Sequence, residues 1–212
     1  MRFADIGNSR VHTTLNLYDI EHMKFEEFYS KYKNETLYYI SVNHKFQNII
    51  KQNSNWHDLE PFVHMKGFYE GMGIDRRVLS LSKGDGIYID AGSAITVDVV
   101  KESIYRGGML YPGISALKKA FASISEALNK EPCYPTDTDT LPCSTKEQLG
   151  YGIIAPIISC INSIQKAEDT LYITGGDGEL LSRYLPKSLY KEGLIFEGMQ
   201  KVYNSKTEEN QC

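Results

Sequence analysis

Two short segments of this chain share one pattern, and this repetition constrains the fold more than any other feature of the sequence. Asp5-Ile6-Gly7-Asn8-Ser9 aligns with Asp90-Ala91-Gly92-Ser93-Ala94. Each segment begins Asp-x-Gly next to β-forming residues and leads into a second β-rich run, which predicts a strand, a tight turn and a strand. Because an internal repeat indicates repeated architecture, we expect two similar lobes, residues 1–83 and residues 84–212.

The residues of these turns indicate a ligand as well as a fold. Glycine lets the backbone turn tightly or lie close to a bound group, and the N–H groups of such a turn can face an anion. Asn8 and Ser9 add hydrogen-bonding groups, and a neighbouring Asp can hold a cation that separates it from phosphate. Two such turns could hold the two ends of a polyphosphate. An ordinary hairpin with a polar turn is the alternative for either segment alone.

A third motif combines a carboxylate with a cation. Gly71 and Gly73 precede Ile74-Asp75-Arg76-Arg77, and the apolar residues that follow predict a helix that begins near Asp75. Phosphoryl transfer to an alcohol needs a carboxylate that orients the hydroxyl and accepts its proton, and a guanidinium can hold an acidic substrate. The alternative for Asp75 is a simple helix cap.

The bulk composition excludes several classes of protein. Of the 212 residues 24% are charged and the formal net charge is -4, which argues against nucleic acid or an anionic membrane as partner. We find no apolar run long enough to span a bilayer and no secretory signal at the N-terminus. The four cysteines lack metal-binding spacing, so we expect reduced thiols in a cytoplasmic protein, with a disulfide between Cys133 and Cys143 as the alternative.

Three further assignments come from local patterns. The aromatic spacing of residues 20–34 predicts one amphipathic helix. Residues 61–64 are a candidate strand, and the polar residues 204–212 are expected to form a disordered tail.

The motifs resemble, in their order along the chain, those of the type III pantothenate kinase family. They include the segments above, Gly107 to Gly113 and Thr174-Gly175-Gly176-Asp177, so the resemblance extends from the N-terminus to residue 177. It implies the α/β fold of the acetate kinase, sugar kinase, Hsp70 and actin superfamily, with two related ribonuclease H-like lobes and a nucleotide cleft between them. It also implies phosphorylation of pantothenate by ATP to 4'-phosphopantothenate, the first step of coenzyme A biosynthesis.

The resemblance also implies roles for individual residues. Asp75 would be the catalytic proton acceptor, and Asp90 would bind a monovalent cation, K⁺ or NH₄⁺, while Mg²⁺ would accompany ATP. The residues implied to contact ATP are Asp5, Ile6, Gly7, Asn8, Ser9, Arg10, Val11, His12 and Ser93. The residues implied to contact pantothenate are Tyr69, Gly73, Ile74, Asp75, Arg76 and Thr145.

Two of these positions have a structural alternative. Relatives often carry Lys where this chain has His12, and a solvent-facing strand histidine is the alternative to a phosphate contact there. Thr145 or Ser144, followed by Glu147, has the pattern of a helix cap.

Members of this family are homodimers, so the resemblance implies a homodimer. Two other classes of function remain open at this point. Another small-molecule kinase of the superfamily would keep Asp5, Asp75 and Asp90 without needing Arg76 or Thr145. A non-catalytic regulator built on the same fold is the other class, although the three aspartates argue against it.

Overall fold

A computed structural model describes residues 1–209 as two five-stranded sheets with helices packed on them. The first part of the chain contains β1 (Arg2–Ile6), β2 (Val11–Thr14), β3 (Ile20–Met23), α1 (Phe25–Tyr32), β4 (Leu37–Ser41), α2 (Gln47–Gln52), β5 (Trp56–Asp58) and α3 (Ile74–Ser80). The second part contains β6 (Gly86–Ala91), β7 (Ala94–Lys101), β8 (Ile104–Pro112), α4 (Ile114–Ile124), α5 (Thr145–Ile164), β9 (Leu171–Thr174), α6 (Gly178–Ser182), β10 (Leu189–Tyr190) and α7 (Leu194–Glu209).

The strand order of the first sheet recurs in the second. The first sheet is ordered β3-β2-β1-β4-β5, and the second is ordered β8-β7-β6-β9-β10. In the first, β1 pairs antiparallel with β2 and parallel with β4. In the second, β6 pairs parallel with β9, while only two residues join β6 to β7, a connection that antiparallel strands allow. The repeat seen in the sequence is therefore a repeat of topology, and the predicted α/β fold with two related sheets is confirmed.

The first sheet is covered on both faces because its strands alternate their side chains. On one face Ala4 and Ile6 of β1 belong to a core with Phe25 and Phe28 of α1. On the other face Phe3 of β1 and Ile40 of β4 belong to a core with residues of α3 and α7, namely Ile74, Val78, Ile195, Phe196, Met199 and Val202. Two apolar faces on one sheet hold the ends of β1 and β4 in place.

The second sheet packs on one long apolar helix. Ile87 and Ile89 of β6 and Ile173 of β9 are fully buried in one core with five isoleucines of α5. Those isoleucines are Ile153, Ile154, Ile157, Ile158 and Ile161. Pro156 lies inside this helix on its exposed side. The packing of α5 against β6 fixes the end of that strand, where the second Asp-x-Gly turn begins.

Contacts divide the chain into two compact units. The first unit comprises residues 1–84, residues 100–106 and the chain from Gly193 onward, and the second comprises residues 85–99 and 107–192. The first break thus falls beside the predicted boundary at residue 83, while the last helix groups with the first unit. The contiguous division into 1–83 and 84–212 remains a prediction.

Three local predictions are corrected. Residues 20–34 form β3 and α1 instead of one helix, because Ile20 to Met23 pair with β2. Residues 61–64 are not a strand; β5 lies earlier, and a 3₁₀ turn covers Glu60–Phe62. Residues 204–209 continue α7, and residues 210–212 lie outside the described part of the chain.

The described cysteines agree with the expected reduced state. Cys133, Cys143 and Cys160 are free thiols, and Cys212 lies outside the described residues. Among the helices within residues 1–209, none combines the length and the apolar character needed to cross a bilayer.

Candidate active site

The first Asp-x-Gly turn connects β1 to β2 through four residues, Gly7 to Arg10. The Gly7 N–H donates to the Arg10 carbonyl at 3.0 Å and closes the turn. A Cβ atom at Gly7 would lie 3.0 Å from that same oxygen, so glycine fits here with little room to spare. The side chains of Asn8, Ser9 and Arg10 are exposed. The turn therefore presents its polar groups to solvent on a closely held backbone.

The end of β4 supports this turn from the neighbouring strand. The Val42 N–H donates to the Ile6 carbonyl at 3.2 Å, and the Asn43 side-chain amide donates to the Gly7 carbonyl at 3.0 Å. Asn43 was not among the residues predicted from the sequence. It lies 36 residues from Gly7 and belongs to no recognisable motif, so only the pairing of β1 with β4 brings the two together.

His12 pairs with a second histidine on the next strand. His12 faces Asp5 in the register of β1 and β2, and it faces His22 in the register of β2 and β3. The two imidazole Nδ1 atoms lie 2.6 Å apart. Burial, the neighbouring His22 and the Arg10 guanidinium lower the pKa of His12 to about 4. His12 is therefore neutral at pH 7 and would meet phosphate as a hydrogen-bonding group without a charge.

Asp75 lies in the first turn of α3, as the sequence predicted. Its Oδ1 accepts a hydrogen bond from the Arg76 N–H at 2.8 Å. A Cβ atom at Gly73 would lie 2.5 Å from the same Oδ1. Gly73 therefore leaves the space that the Asp75 carboxylate occupies, which is a steric reason for glycine at this position.

Arg76 is buried and holds two tyrosines through the ends of its guanidinium. Nη1 donates to the Tyr69 hydroxyl at 2.8 Å, and Nη2 donates to the Tyr105 hydroxyl at 3.1 Å. Tyr69 remains 51% exposed, whereas Tyr105 is buried. The structure thus brings together Tyr69, Gly73, Asp75 and Arg76 in one cluster of the first unit.

Tyr105 is a member of this cluster that the sequence did not predict. It follows Arg76 by 29 residues and carries no motif of its own. Its backbone N–H donates to the Lys66 carbonyl at 2.9 Å, and a Cβ atom at Gly67, whose φ is +97°, would lie 2.2 Å from the Tyr105 carbonyl oxygen. This close backbone contact fixes Tyr105 beside Arg76, and it is visible only in the tertiary structure.

The second Asp-x-Gly turn connects β6 to β7 through Gly92 and Ser93 alone. The Gly92 N–H donates to the Ala94 carbonyl at 3.0 Å, and the Gly113 N–H donates to the Ser93 carbonyl at 3.1 Å. Ser93 is exposed and Asp90 is partly buried. Gly113 packs so closely that a Cβ atom there would lie 2.3 Å from the Gly92 carbonyl oxygen.

Gly175 brings a backbone segment against Asp90 in the second unit. A Cβ atom at Gly175 would lie 2.5 Å from both the Asp90 Oδ1 and the Ala91 carbonyl oxygen, so no residue larger than glycine fits here. Carboxylate and carbonyl oxygens are suitable ligands for a hard cation. Within residues 1–209, no three His, Cys, Asp or Glu side chains gather into a group that could hold a metal ion.

Thr145 is the first residue of α5, and the helix cap is its neighbour Ser144. The Ser144 hydroxyl accepts from the Glu147 N–H at 3.4 Å, as a helix cap does, and it donates to the Glu147 carboxylate at 2.7 Å. The Thr145 side chain is exposed. Thr145 stands on an element separate from the β6–β7 turn that carries Asp90 and Ser93.

Known proteins match this chain over nearly its full length. The family model of type III pantothenate kinase matches residues 62–167. A type III pantothenate kinase from Campylobacter jejuni is 36% identical over 209 residues, which cover 95% of this chain and 96% of the relative. This chain belongs to the type III pantothenate kinase family. A second member of the family, from Helicobacter pylori, is 36% identical over 199 residues and covers 93% of this chain and 88% of the relative.

Solved structures agree with the fold. A Campylobacter jejuni protein described as a Baf family transcriptional activator superposes with a TM-score of 0.87 at 33% identity, covering 98% of this chain and 100% of its own. A 2-dehydro-3-deoxygalactonokinase protein from Sinorhizobium meliloti superposes with a TM-score of 0.59 at 9% identity and covers 96% of both chains. The second likeness, at 9% identity, shows only that this chain and that protein share a fold.

Proposed function

We propose that this chain phosphorylates the primary hydroxyl of pantothenate with ATP, which yields 4'-phosphopantothenate and ADP. The observation that carries this proposal is the Asp75–Arg76 cluster, in a chain whose family is that of type III pantothenate kinases. The cluster pairs a carboxylate with a buried guanidinium, the two groups that phosphoryl transfer to an acidic alcohol requires.

Asp75 is the proton acceptor in this proposal. The pantothenate hydroxyl oxygen forms a bond to the γ-phosphorus, and the bond from that phosphorus to the bridging oxygen of ADP breaks. The hydroxyl proton passes to the Asp75 carboxylate. The hydrogen bond from the Arg76 N–H and the space left by Gly73 support this role, because they hold one carboxylate oxygen in a defined direction.

Arg76 and the aromatic residues around it hold the substrate. Pantothenate carries a carboxylate, and a guanidinium is a suitable partner for that group. Tyr69 reaches solvent while its hydroxyl contacts Arg76, so it would line the entrance. The backbone of Gly73 and Ile74 and the exposed hydroxyl of Thr145 are the other proposed pantothenate contacts.

The two Asp-x-Gly turns hold ATP. The segment from Asp5 to His12 would receive phosphates through backbone N–H groups and the polar side chains of Asn8 and Ser9. Ser93 would add its hydroxyl from the second turn, where it is exposed. Asp90 would bind a monovalent cation, K⁺ or NH₄⁺, and bound cations supply positive charge that balances the phosphates. Mg²⁺ would enter with ATP, largely through phosphate oxygens and water.

A homodimer in the cytoplasm is the proposed state of the enzyme. Strand β8 lies at the edge of its sheet and carries Leu110, which is 63% exposed. An apolar side chain on an exposed edge strand supports association with a second copy. Size-exclusion chromatography with light scattering tests this: a mass of one chain at micromolar concentration would contradict it.

The test is ADP release from ATP, measured with and without pantothenate, first in K⁺ and then in Na⁺ alone. We expect turnover that requires pantothenate and is faster in K⁺. Asp75→Asn keeps the oxygen that accepts from the Arg76 N–H, so the fold should survive while kcat falls roughly 10²- to 10⁴-fold. Asp19→Asn, which changes an exposed carboxylate in a loop, is the matched control.

Each arm of this experiment can fail separately. A wild-type protein that binds ATP but consumes none with pantothenate would overturn the substrate, and a screen of other small alcohols would follow. Full activity of Asp75→Asn would overturn only the role of Asp75.

Gene regulation is a second candidate, because a structure 33% identical to this chain is described as a Baf family transcriptional activator. The net charge of -4 argues against direct binding to DNA, because DNA is itself negatively charged. A protein that lacks kinase activity but shifts promoter DNA at 0.1 M salt would favour this candidate.

A further inference from the structure

Asn43 is a buried polar residue at the end of β4, and the functions described so far give it no role. Its side chain is only 6% exposed. Burial of an amide is unfavourable unless its donor and acceptor are both satisfied. Here both are satisfied by backbone groups from two different segments, which makes the residue a bridge.

The donor and the acceptor of Asn43 have different partners. Nδ2 donates to the Gly7 carbonyl at 3.0 Å, whereas Oδ1 accepts from the Phe46 N–H at 3.2 Å. The Asn43 N–H in turn donates to the Ser41 hydroxyl at 3.1 Å. Asn43 is therefore anchored by its own strand end and reaches across to the first Asp-x-Gly turn.

The bond to Gly7 determines where the next N–H group points. The Gly7 carbonyl and the Asn8 N–H belong to one planar trans peptide, in which the C=O and N–H bonds point in opposite directions. When Asn43 holds the Gly7 carbonyl on the β4 side, the Asn8 N–H is directed away from β4. Meanwhile the Gly7 N–H is committed to the Arg10 carbonyl.

We propose that Asn43 is a positioning residue for the nucleotide: it orients the Gly7–Asn8 peptide so that the Asn8 N–H donates to a phosphate of ATP. This inference rests on the proposed function, in which this turn binds ATP. A preorganised N–H donor loses no orientation when the anion arrives, so the loss of Asn43 raises the concentration of ATP needed.

The Asn43→Asp variant tests the two side-chain hydrogen bonds of Asn43 separately. A carboxylate keeps the acceptor for the Phe46 N–H but removes the donor to the Gly7 carbonyl. Asn43 also borders a pocket of about 310 Å³ in the first unit, so water can reach the new charge. We expect the KM for ATP and the Kd of a non-hydrolysable ATP analogue to rise about tenfold.

Asn53 offers a matched control outside this turn. Its Nδ2 donates to the Lys33 carbonyl at 2.9 Å, and its Oδ1 accepts from the Asn55 N–H at 3.0 Å. Asn53→Asp therefore removes the same kind of donor and keeps the same kind of acceptor. We expect it to leave the affinity for ATP unchanged. An equal loss of ATP affinity in both variants would show a general structural effect and overturn the inference.

Acidification supplies a second readout, and Asn43→Ala, which adds no charge, separates the lost donor from repulsion between the new carboxylate and phosphate. Protonation of the carboxyl in the Asn43→Asp variant restores an O–H donor, so its KM for ATP relative to wild type should fall as the pH decreases towards 5. A ratio of one at all pH values would overturn the inference. If this variant fails to fold, Asn43→Ala against Asn53→Ala carries the same comparison of ATP affinity.

The inference and the proposed function can fail independently. If wild type binds the ATP analogue but does not phosphorylate pantothenate, the function fails while the binding arm still tests Asn43. If wild type is an active pantothenate kinase and Asn43→Asp has a wild-type KM for ATP, only the inference fails.

Discussion

The two Asp-x-Gly turns share a motif and a place in their sheets, but they are supported differently. The first spans four residues and depends on a side chain, the Asn43 amide, for its hydrogen bond from β4. The second spans two residues and is enclosed by backbone, because Gly113 and Gly175 approach it more closely than any side chain would allow. Repeated topology therefore does not require repeated support, and each turn should respond to different substitutions.

The largest expected effect is a loss of stability when the backbone packed against the second turn is changed. Gly175 has a φ of +89°, and an added Cβ would meet the Ala91 carbonyl at 2.5 Å. Gly175→Ala should lower the free energy of unfolding by about 3 kcal/mol, from backbone strain and steric overlap together. Gly176→Ala is the control, since nothing lies within 4 Å of its Cβ position. Urea denaturation measures both, and equal stability of the two variants would contradict this account.

The next effect concerns catalysis in the first unit. Gly73→Ala would place a Cβ atom 2.5 Å from the Asp75 Oδ1, and this carboxylate can rotate away with little cost to the fold. We expect kcat to fall about 10- to 100-fold through misplacement of the proton acceptor, with thermal stability nearly unchanged. In the Asp75→Asn background the same change should have almost no further effect on kcat. Additive losses would show that Gly73 acts on something other than Asp75.

A smaller effect, on the pH dependence of stability, should distinguish the strands that follow the two turns. The first turn leads to His12, whose pKa is lowered to about 4, whereas the second leads to the fully buried Ile95. In the unfolded chain a histidine has a pKa near 6.5, so between about pH 6.5 and 4 the unfolded state binds one proton more. Stability should therefore fall as the pH falls through this window.

The expected loss of stability is on the order of 1–2 kcal/mol, because solvent screens the partly exposed pair of His12 and His22. Urea denaturation at pH 7 and pH 5 measures it, and His12→Gln should weaken the dependence. His64→Gln removes an exposed imidazole and serves as the control. A pH dependence that persists unchanged in His12→Gln would place its origin elsewhere.

The smallest expected effects are the stability losses when the glycine of each motif is replaced, and they should differ between the two turns. A Cβ atom at Gly7 would lie 3.0 Å from the Arg10 carbonyl, whereas one at Gly92 would have no neighbour closer than 3.7 Å. Gly7→Ala should cost about 1 kcal/mol of stability and Gly92→Ala less than about 0.5 kcal/mol. Thermal denaturation of the two single variants tests the order, and a reversed order would show that the first turn relaxes more easily than its hydrogen bonds indicate.

Local sequence predicted the parts of this protein that local chemistry decides. The strand and turn at Asp5, the strand and turn at Asp90, and the helix that begins beside Asp75 all follow from residues adjacent in the chain. The N-cap of α5 belongs to the same class, although Ser144 serves as the cap and Thr145 does not. Where a segment depended on a distant partner, as residues 20–23 do on β2, helical periodicity was misleading.

The sequence by itself determined the repeat, the family and the residues that could perform phosphoryl transfer, because motifs are contiguous and their order is visible. Only the tertiary structure decided how those residues are held. Asn43 reaches Gly7 through the register of β1 and β4, and Tyr105 reaches Arg76 through the close backbone contact at Gly67. Such contacts depend on which strands pair and how closely their backbones approach, and these distances arise only when the whole core has packed.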